Sequence, residues 1–89
     1  MKRKTIDGTT YVEDFTGGPA ELTDETGKMW IRPETLAARF KALCAATGMT
    51  VKALSEYTGV STVTFCSYRA GKTACPRAVW KMVEGRKIV

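Results

Sequence analysis

Two patterns of apolar and polar positions divide the chain, and they meet at Arg32-Pro33. Downstream of that point the apolar residues recur at helical spacing. Leu36, Phe40, Leu43 and Cys44 fall at i, i+4, i+7 and i+8, which lays one apolar stripe along a helix. Pro33 suits a first helical turn and Glu34 suits the positive end of the helix dipole. Gly48, after Thr47, ends this helix by giving the chain a left-handed residue. Thr50 caps a second predicted helix, Val51 to Thr58, with Leu54 facing inward and Gly59 as its stop. Ser61 caps a third, Thr62 to Arg69, with Phe65 and Tyr68 inward and Gly71 as its stop. Pro76 opens a last helix that reaches about Glu84, with Val79, Trp80 and Val83 as its stripe and Gly85 at its end. The tail "RKIV" carries no predicted element.

Upstream of Pro33 the pattern is that of strands and turns. "TTYVEDF", Thr9 to Phe15, has the β-formers of a short strand. "TGGP", Thr16 to Pro19, is a turn. Ala20–Thr23 and Lys28–Ile31 pair around Asp24–Gly27, where Asp opens a tight turn and Gly27 supplies the positive φ at its end. The result is a β-hairpin, with Thr9–Phe15 available as a third strand. A two-stranded hairpin is barely stable alone, so Met29, Trp30 and Ile31 must pack on the helices or on a partner. For Trp30 both readings stay open. The division is therefore residues 1–32 as an N-terminal arm and hairpin extension, 33–85 as a helical domain, and 86–89 as a basic tail. The fold class is mainly α, with four helices and an N-terminal β-hairpin.

Composition narrows the function classes. With 89 residues the chain makes one small domain, which buries only roughly 60–65% of its unfolded surface. Three cysteines, Cys44, Cys66 and Cys75, stand far apart, and there is no histidine. That spacing gives neither a disulfide framework nor a structural zinc site. No apolar run approaches the roughly 18 residues of a membrane span. No apolar segment follows the basic start "MKRKTIDGTTYV", so a cytoplasmic location is expected. The charge is uneven. Residues 1–32 carry five basic groups and six acidic ones, whereas residues 33–89 carry nine basic groups and three acidic ones. An excess of positive charge over the helical part suggests an acidic partner, most commonly nucleic acid. A merely solubilising surface would carry the same charge.

The sharpest local signal is Gly59-Val60-Ser61 between two short helices. A tight connection between helices needs the glycine for its backbone turn, an apolar residue to pin the turn to the core, and a capping residue to start the next helix. The exposed N–H groups of that second helix favour a nearby phosphate. Over the run "GMTVKALSEYTGVSTVTFCSYRAGKTACP", Gly48 to Pro76, the sequence resembles the phage-repressor/Cro-like (XRE) helix-turn-helix family. The matching positions are Gly48-Met49-Thr50, Leu54-Ser55, Gly59-Val60-Ser61, Thr64-Phe65-Cys66, Gly71-Lys72 and Pro76. The sequence departs from the family in having Val51 where Gln is frequent, Ser55 where a small Ala is usual, and Arg69 where Glu is frequent. Only four helices are predicted where the family usually has five.

The resemblance implies a lambda-repressor-like domain that binds double-stranded DNA as a homodimer and regulates transcription. The expected role is that of a repressor of phage or mobile-element type, or of an antitoxin. It implies base contacts from Ser61, Thr62, Val63, Cys66, Ser67 and Arg69, and phosphate contacts from Lys52, Thr64, Lys72 and Arg77. A flexible N-terminal arm, Lys2, Arg3 and Lys4, would reach the DNA as arms of other folds do. Serine and threonine hydroxyls discriminate poorly between bases, and Val63 is the side chain suited to a thymine methyl. No Asn or Gln stands on this helix to give a bidentate base contact. That weakness keeps two other readings in view: a protein-binding module on the same scaffold, or a non-specific nucleic-acid binder. Cys66 reads as a small apolar residue or, less simply, as a redox-sensitive thiol. The acidic pairs Glu13-Asp14 and Asp24-Glu25 read as solvated charge. With no histidine, no nucleophile motif and no phosphate loop, no catalytic site, cofactor or small-molecule ligand is expected.

Overall fold

The computed structural model describes residues 3–88. Its element order is β1 (Arg3–Ile6), β2 (Thr9–Glu13), β3 (Leu22–Thr23), β4 (Met29–Ile31), α1 (Pro33–Ala46), α2 (Val51–Thr58), α3 (Thr62–Ala70) and α4 (Arg77–Glu84). All four helices lie where the periodicity placed them, with ends shifted by a residue at most at α1, α3 and α4. The hairpin is part of something larger, a four-stranded antiparallel sheet of order β1-β2-β4-β3.

The added strand is β1, and it corrects the expectation of a flexible N-terminal arm. Asp7 and Gly8 both take positive φ, 51° and 79°, as the central residues of a tight two-residue hairpin turn do. That turn sets the register Arg3↔Val12, Lys4↔Tyr11, Thr5↔Thr10 and Ile6↔Thr9. Arg3 and Lys4 are therefore strand residues, and Lys2 lies outside the described residues.

Pairing of Val12 with Ile31 joins β2 to β4. Both side chains are fully buried, and they belong to the same apolar cluster as Leu36, Phe40, Leu54, Phe65 and Val83. Side chains alternate across a strand, so Trp30 points to the other face of the sheet. It is nonetheless buried, under the chain's own residues: Lys4 Nζ and Lys28 Nζ lie 5.7 and 6.0 Å from its ring, and its indole N–H donates to Asp24 Oδ2 at 3.1 Å. Trp30 is thus covered by side chains of the sheet region itself and lies outside the helical core cluster, whereas Met29 stays exposed.

Asp24 organises the β3–β4 turn. Its carboxylate accepts from the Thr26 hydroxyl at 2.6 Å, the Thr26 N–H at 2.9 Å and the Lys28 N–H at 3.0 Å, and Lys4 Nζ lies 3.7 Å away. The Thr26 hydroxyl, the Trp30 indole and these backbone donors hold its carboxyl well below the usual range. Asp14 is likewise not a solvated charge. Its side chain is 2% exposed and faces Arg39 of α1 at 3.6 Å; it also accepts from the Thr16 N–H at 2.8 Å and the Thr16 hydroxyl at 2.7 Å. Arg39 donates in turn to Thr16 Oγ1 at 2.8 Å and to the Pro19 carbonyl, so one α1 side chain ties down the whole 14–19 loop. Gly18 leaves room for this contact, because a Cβ there would come within 2.9 Å of the guanidinium and push the Arg39 side chain aside.

A second tie joins the segment before β3 to the start of α1. Arg32, the N-cap residue of α1, provides no side-chain cap. Instead Glu21 accepts from the Arg32 backbone N–H at 2.8 Å, from its guanidinium at 2.8 and 3.1 Å, and from the Thr35 hydroxyl at 2.7 Å. Those bonds, the Arg32 side chain first, bring the Glu21 carboxyl down from 4.5 to about 2. The tail also folds back: Arg86 stacks on the Tyr57 ring at 4.4 Å and the Ile88 N–H donates to the Ala46 carbonyl at 2.9 Å.

Because Asp14 is buried against Arg39, truncating it strands a charge and two donors. Asp14→Ala is expected to lower unfolding free energy by about 1–3 kcal/mol in a urea titration, and Glu25→Ala to change it by less than about 0.5 kcal/mol. Equal, small effects from both would show that the loop is not held by this contact.

Candidate nucleic-acid interface

The α2–α3 unit is built from its turn outward. The Thr50 side chain accepts from the Ala53 N–H at 3.1 Å and starts α2. Gly59 ends it in the left-handed region, φ 77°, with its N–H on the Ser55 carbonyl at 2.9 Å. The Ser55 hydroxyl donates to the Val60 carbonyl, and the Val60 N–H donates to Thr58 Oγ1 at 3.3 Å. The serine that stands where the resembling family has alanine is thus a second lock on the turn. That contribution was not legible from its small size alone. Ser61 then accepts from the Thr64 N–H at 3.2 Å and starts α3. At the other end Gly71 is left-handed at φ 81°, and Lys72 N–H donates to the Ser67 carbonyl at 3.0 Å.

The inner side of α3 is fixed by aromatic packing. Phe65 and Tyr68 are buried, with ring centroids 5.2 and 6.1 Å from that of Phe40 on α1. This orientation leaves Thr62, Val63, Cys66 and Ala70 exposed, with Ser67 half-buried beside them. Together with Lys72 they line one shallow, open depression of about 390 Å³. Val63 is 77% exposed, the most exposed large apolar side chain among the described residues.

Of the expected base-contact residues, four are brought together here: Thr62, Val63, Cys66 and Ser67. The structure separates the other two from them. The Ser61 hydroxyl is engaged as the cap and bonds Thr64 Oγ1 at 2.9 Å, which occupies Thr64 as well. Arg69 is half-buried, and its Nε is out of solvent with no hydrogen-bond partner among the described residues. Its charge acts on the Cys44 thiol of α1, which burial pushes up to about 11 against that pull. The Ser67 hydroxyl donates to the Val63 carbonyl at 3.1 Å.

Of the expected phosphate contacts, Lys72 is the one that lines this depression. Lys52 is in the first turn of α2, Lys72 just past α3, and Arg77 in the first turn of α4. All three are exposed, and none has an ion-pair partner among the described residues. The N-terminal cations differ, since Lys4 is engaged with Asp24 and Trp30. Cys75 is buried and its thiol is pushed up to about 12, whereas Cys66 is exposed. Among the described residues no group of three or more His, Cys, Asp or Glu is placed to hold a metal ion, and no helix is long and apolar enough to cross a membrane.

The capping geometry separates the two hydroxyls that begin α3. Ser61→Ala is expected to cost about 1 kcal/mol of stability, and Thr62→Ala less than about 0.5 kcal/mol, both by urea titration. A neutral Ser61→Ala would mean that its hydroxyl is free for another partner.

Comparison with protein-family models, with curated proteins and with solved structures found no match, so the geometry of α2, the turn and α3 carries the functional reading.

Proposed function

We propose that this protein is a sequence-specific double-stranded DNA-binding regulator of the helix-turn-helix kind, with α3 as the helix that enters the major groove. The observation that carries the reading is the outer face of α3. A fully capped helix turns this side to solvent with Lys72 lining the same depression, and Lys72, Lys52 on α2 and Arg77 on α4 are exposed without an ion-pair partner among the described residues. A major groove about 12 Å wide admits a helix, and cations beside it meet the phosphates that dominate affinity. Such contacts position the protein, and the α3 side chains then meet the base edges. Two copies on a near-palindromic site, with half-sites about one helical turn apart, would act by occluding polymerase. The open edges of the sheet, β1 and β3, are the surfaces through which a second copy would pair.

A second reading is favoured by one specific observation. The outer face of α3 is dominated by Val63, Cys66 and Ala70 and bears no long polar side chain, which suits a protein partner on the same scaffold.

Selection from a random duplex pool at two salt concentrations separates the readings. A DNA regulator enriches a motif, and Lys72→Ala lowers affinity for all duplexes while flattening the salt slope by about one unit. No duplex binding at roughly 50 mM salt would leave the protein-binding module as the account of this surface. Binding without an enriched motif would leave only non-specific attraction.

A further inference from the structure

Resting on the DNA reading, we infer that α3 selects its site through thymine methyl groups, with Val63 as the specificity-determining residue, and that it favours A·T over G·C pairs there. The inference comes from the hydrogen-bonding capacity left on the outer face. A guanine presents two acceptors in the major groove, N7 and O6, and reading it needs donors. The single hydroxyl proton of Ser67 is already given to the Val63 carbonyl at 3.1 Å. The Ser61 hydroxyl is held by Thr64 on both its oxygen and its backbone N–H. Arg69, the one long donor on α3, is half-buried with its Nε out of solvent, and it does not line the depression. On the side of α3 that lines the depression, that leaves the Thr62 hydroxyl and the weak thiol donor of Cys66.

What the face offers instead is apolar surface and acceptor lone pairs. Val63, Cys66, Ser67 and Ala70 stand at i, i+3, i+4 and i+7, hence on one side of the helix. Val63 projects 77% exposed from that side, while Ser67 retains lone pairs one turn further on. An A·T pair presents the matching set, a C5-methyl from thymine and an N6 amine from adenine. A G·C pair offers a comparable amine at cytosine N4 and likewise two acceptors but no methyl, so on this face the methyl is what separates the two pairs. Lys72 on the rim of the same depression supplies the charge complementarity for duplex DNA. The deep, narrow major groove of A-form RNA excludes a helix read in this way.

The test replaces a methyl with a hydrogen and changes nothing else. A duplex enriched by the wild-type chain is remade with deoxyuridine in place of thymine, one position at a time, and titrated by fluorescence anisotropy. Burying one methyl corresponds to about a three- to fivefold change in affinity. That loss is expected at one or two positions for the wild-type chain and is expected to vanish for Val63→Ala. The variant keeps the fold because the replaced side chain stands in solvent. Equal affinity for deoxyuridine and thymine at every position, with duplex binding intact, overturns the methyl readout and leaves the DNA reading standing. No enriched duplex and no binding at low salt overturns both.

Discussion

Phe40 is the contact on which the arrangement depends. It is fully buried at the middle of α1, and its ring meets Phe65 and Tyr68 of α3 and Trp80 of α4, at centroid distances of 5.2, 6.1 and 6.1 Å. In a chain of 89 residues the core is small, so one aromatic ring shared by three helices sets their relative rotation. Once Phe65 and Tyr68 are committed to that ring, helical geometry alone decides what α3 turns outward: Thr62, Val63, Cys66 and Ala70. The candidate site is thus the complement of the core. The depression beside Lys72 exists because α3 can bury only one of its faces.

A few polar contacts attach the sheet to this helical core. Glu21 stands at the start of α1 with Arg32 and Thr35 on its carboxylate, and Arg39 reaches from α1 to the 14–19 loop. Val12 and Ile31 add the apolar seam. The N-terminal third therefore buttresses α1 from the side of the sheet, and the cations it carries are largely committed to its own structure. Lys4 and Lys28 cover Trp30, and Arg32 is bound to Glu21. On the proposed reading the N-terminal third holds α1 in place, while the helical part meets the partner.

The helices were legible in the sequence because each level of signal agreed. Periodic apolar residues, the caps Thr50 and Ser61, and the stops Gly59 and Gly71 all pointed to the same boundaries. The sheet was legible only in part. The Asp7-Gly8 pair is a hairpin signal, yet the basic start before it reads as a solvated arm, and "RKTI" has little apolar content to announce a strand. Buried polar groups were the least legible. Asp14 and Asp24 look like surface charge until their donors are seen, because those donors come from backbone N–H groups and from Arg39, 25 positions beyond Asp14. For the candidate site, sequence placed Val63 and Cys66 outward, but it did not reveal that Ser61 and Ser67 spend their hydroxyl protons on Thr64 and on the Val63 carbonyl or that Arg69 is half-buried with its Nε out of solvent.

The central claim is that the exposed side of α3 is where duplex DNA docks. Backbone amide shifts followed by NMR during titration with a random-sequence 20-base-pair duplex at low salt (roughly 50 mM) test it most directly. The account predicts shifts concentrated at residues 62–72, with smaller ones at Lys52 and Arg77. Shifts centred on β1 and β2, or a spectrum unchanged at saturating duplex, would contradict it.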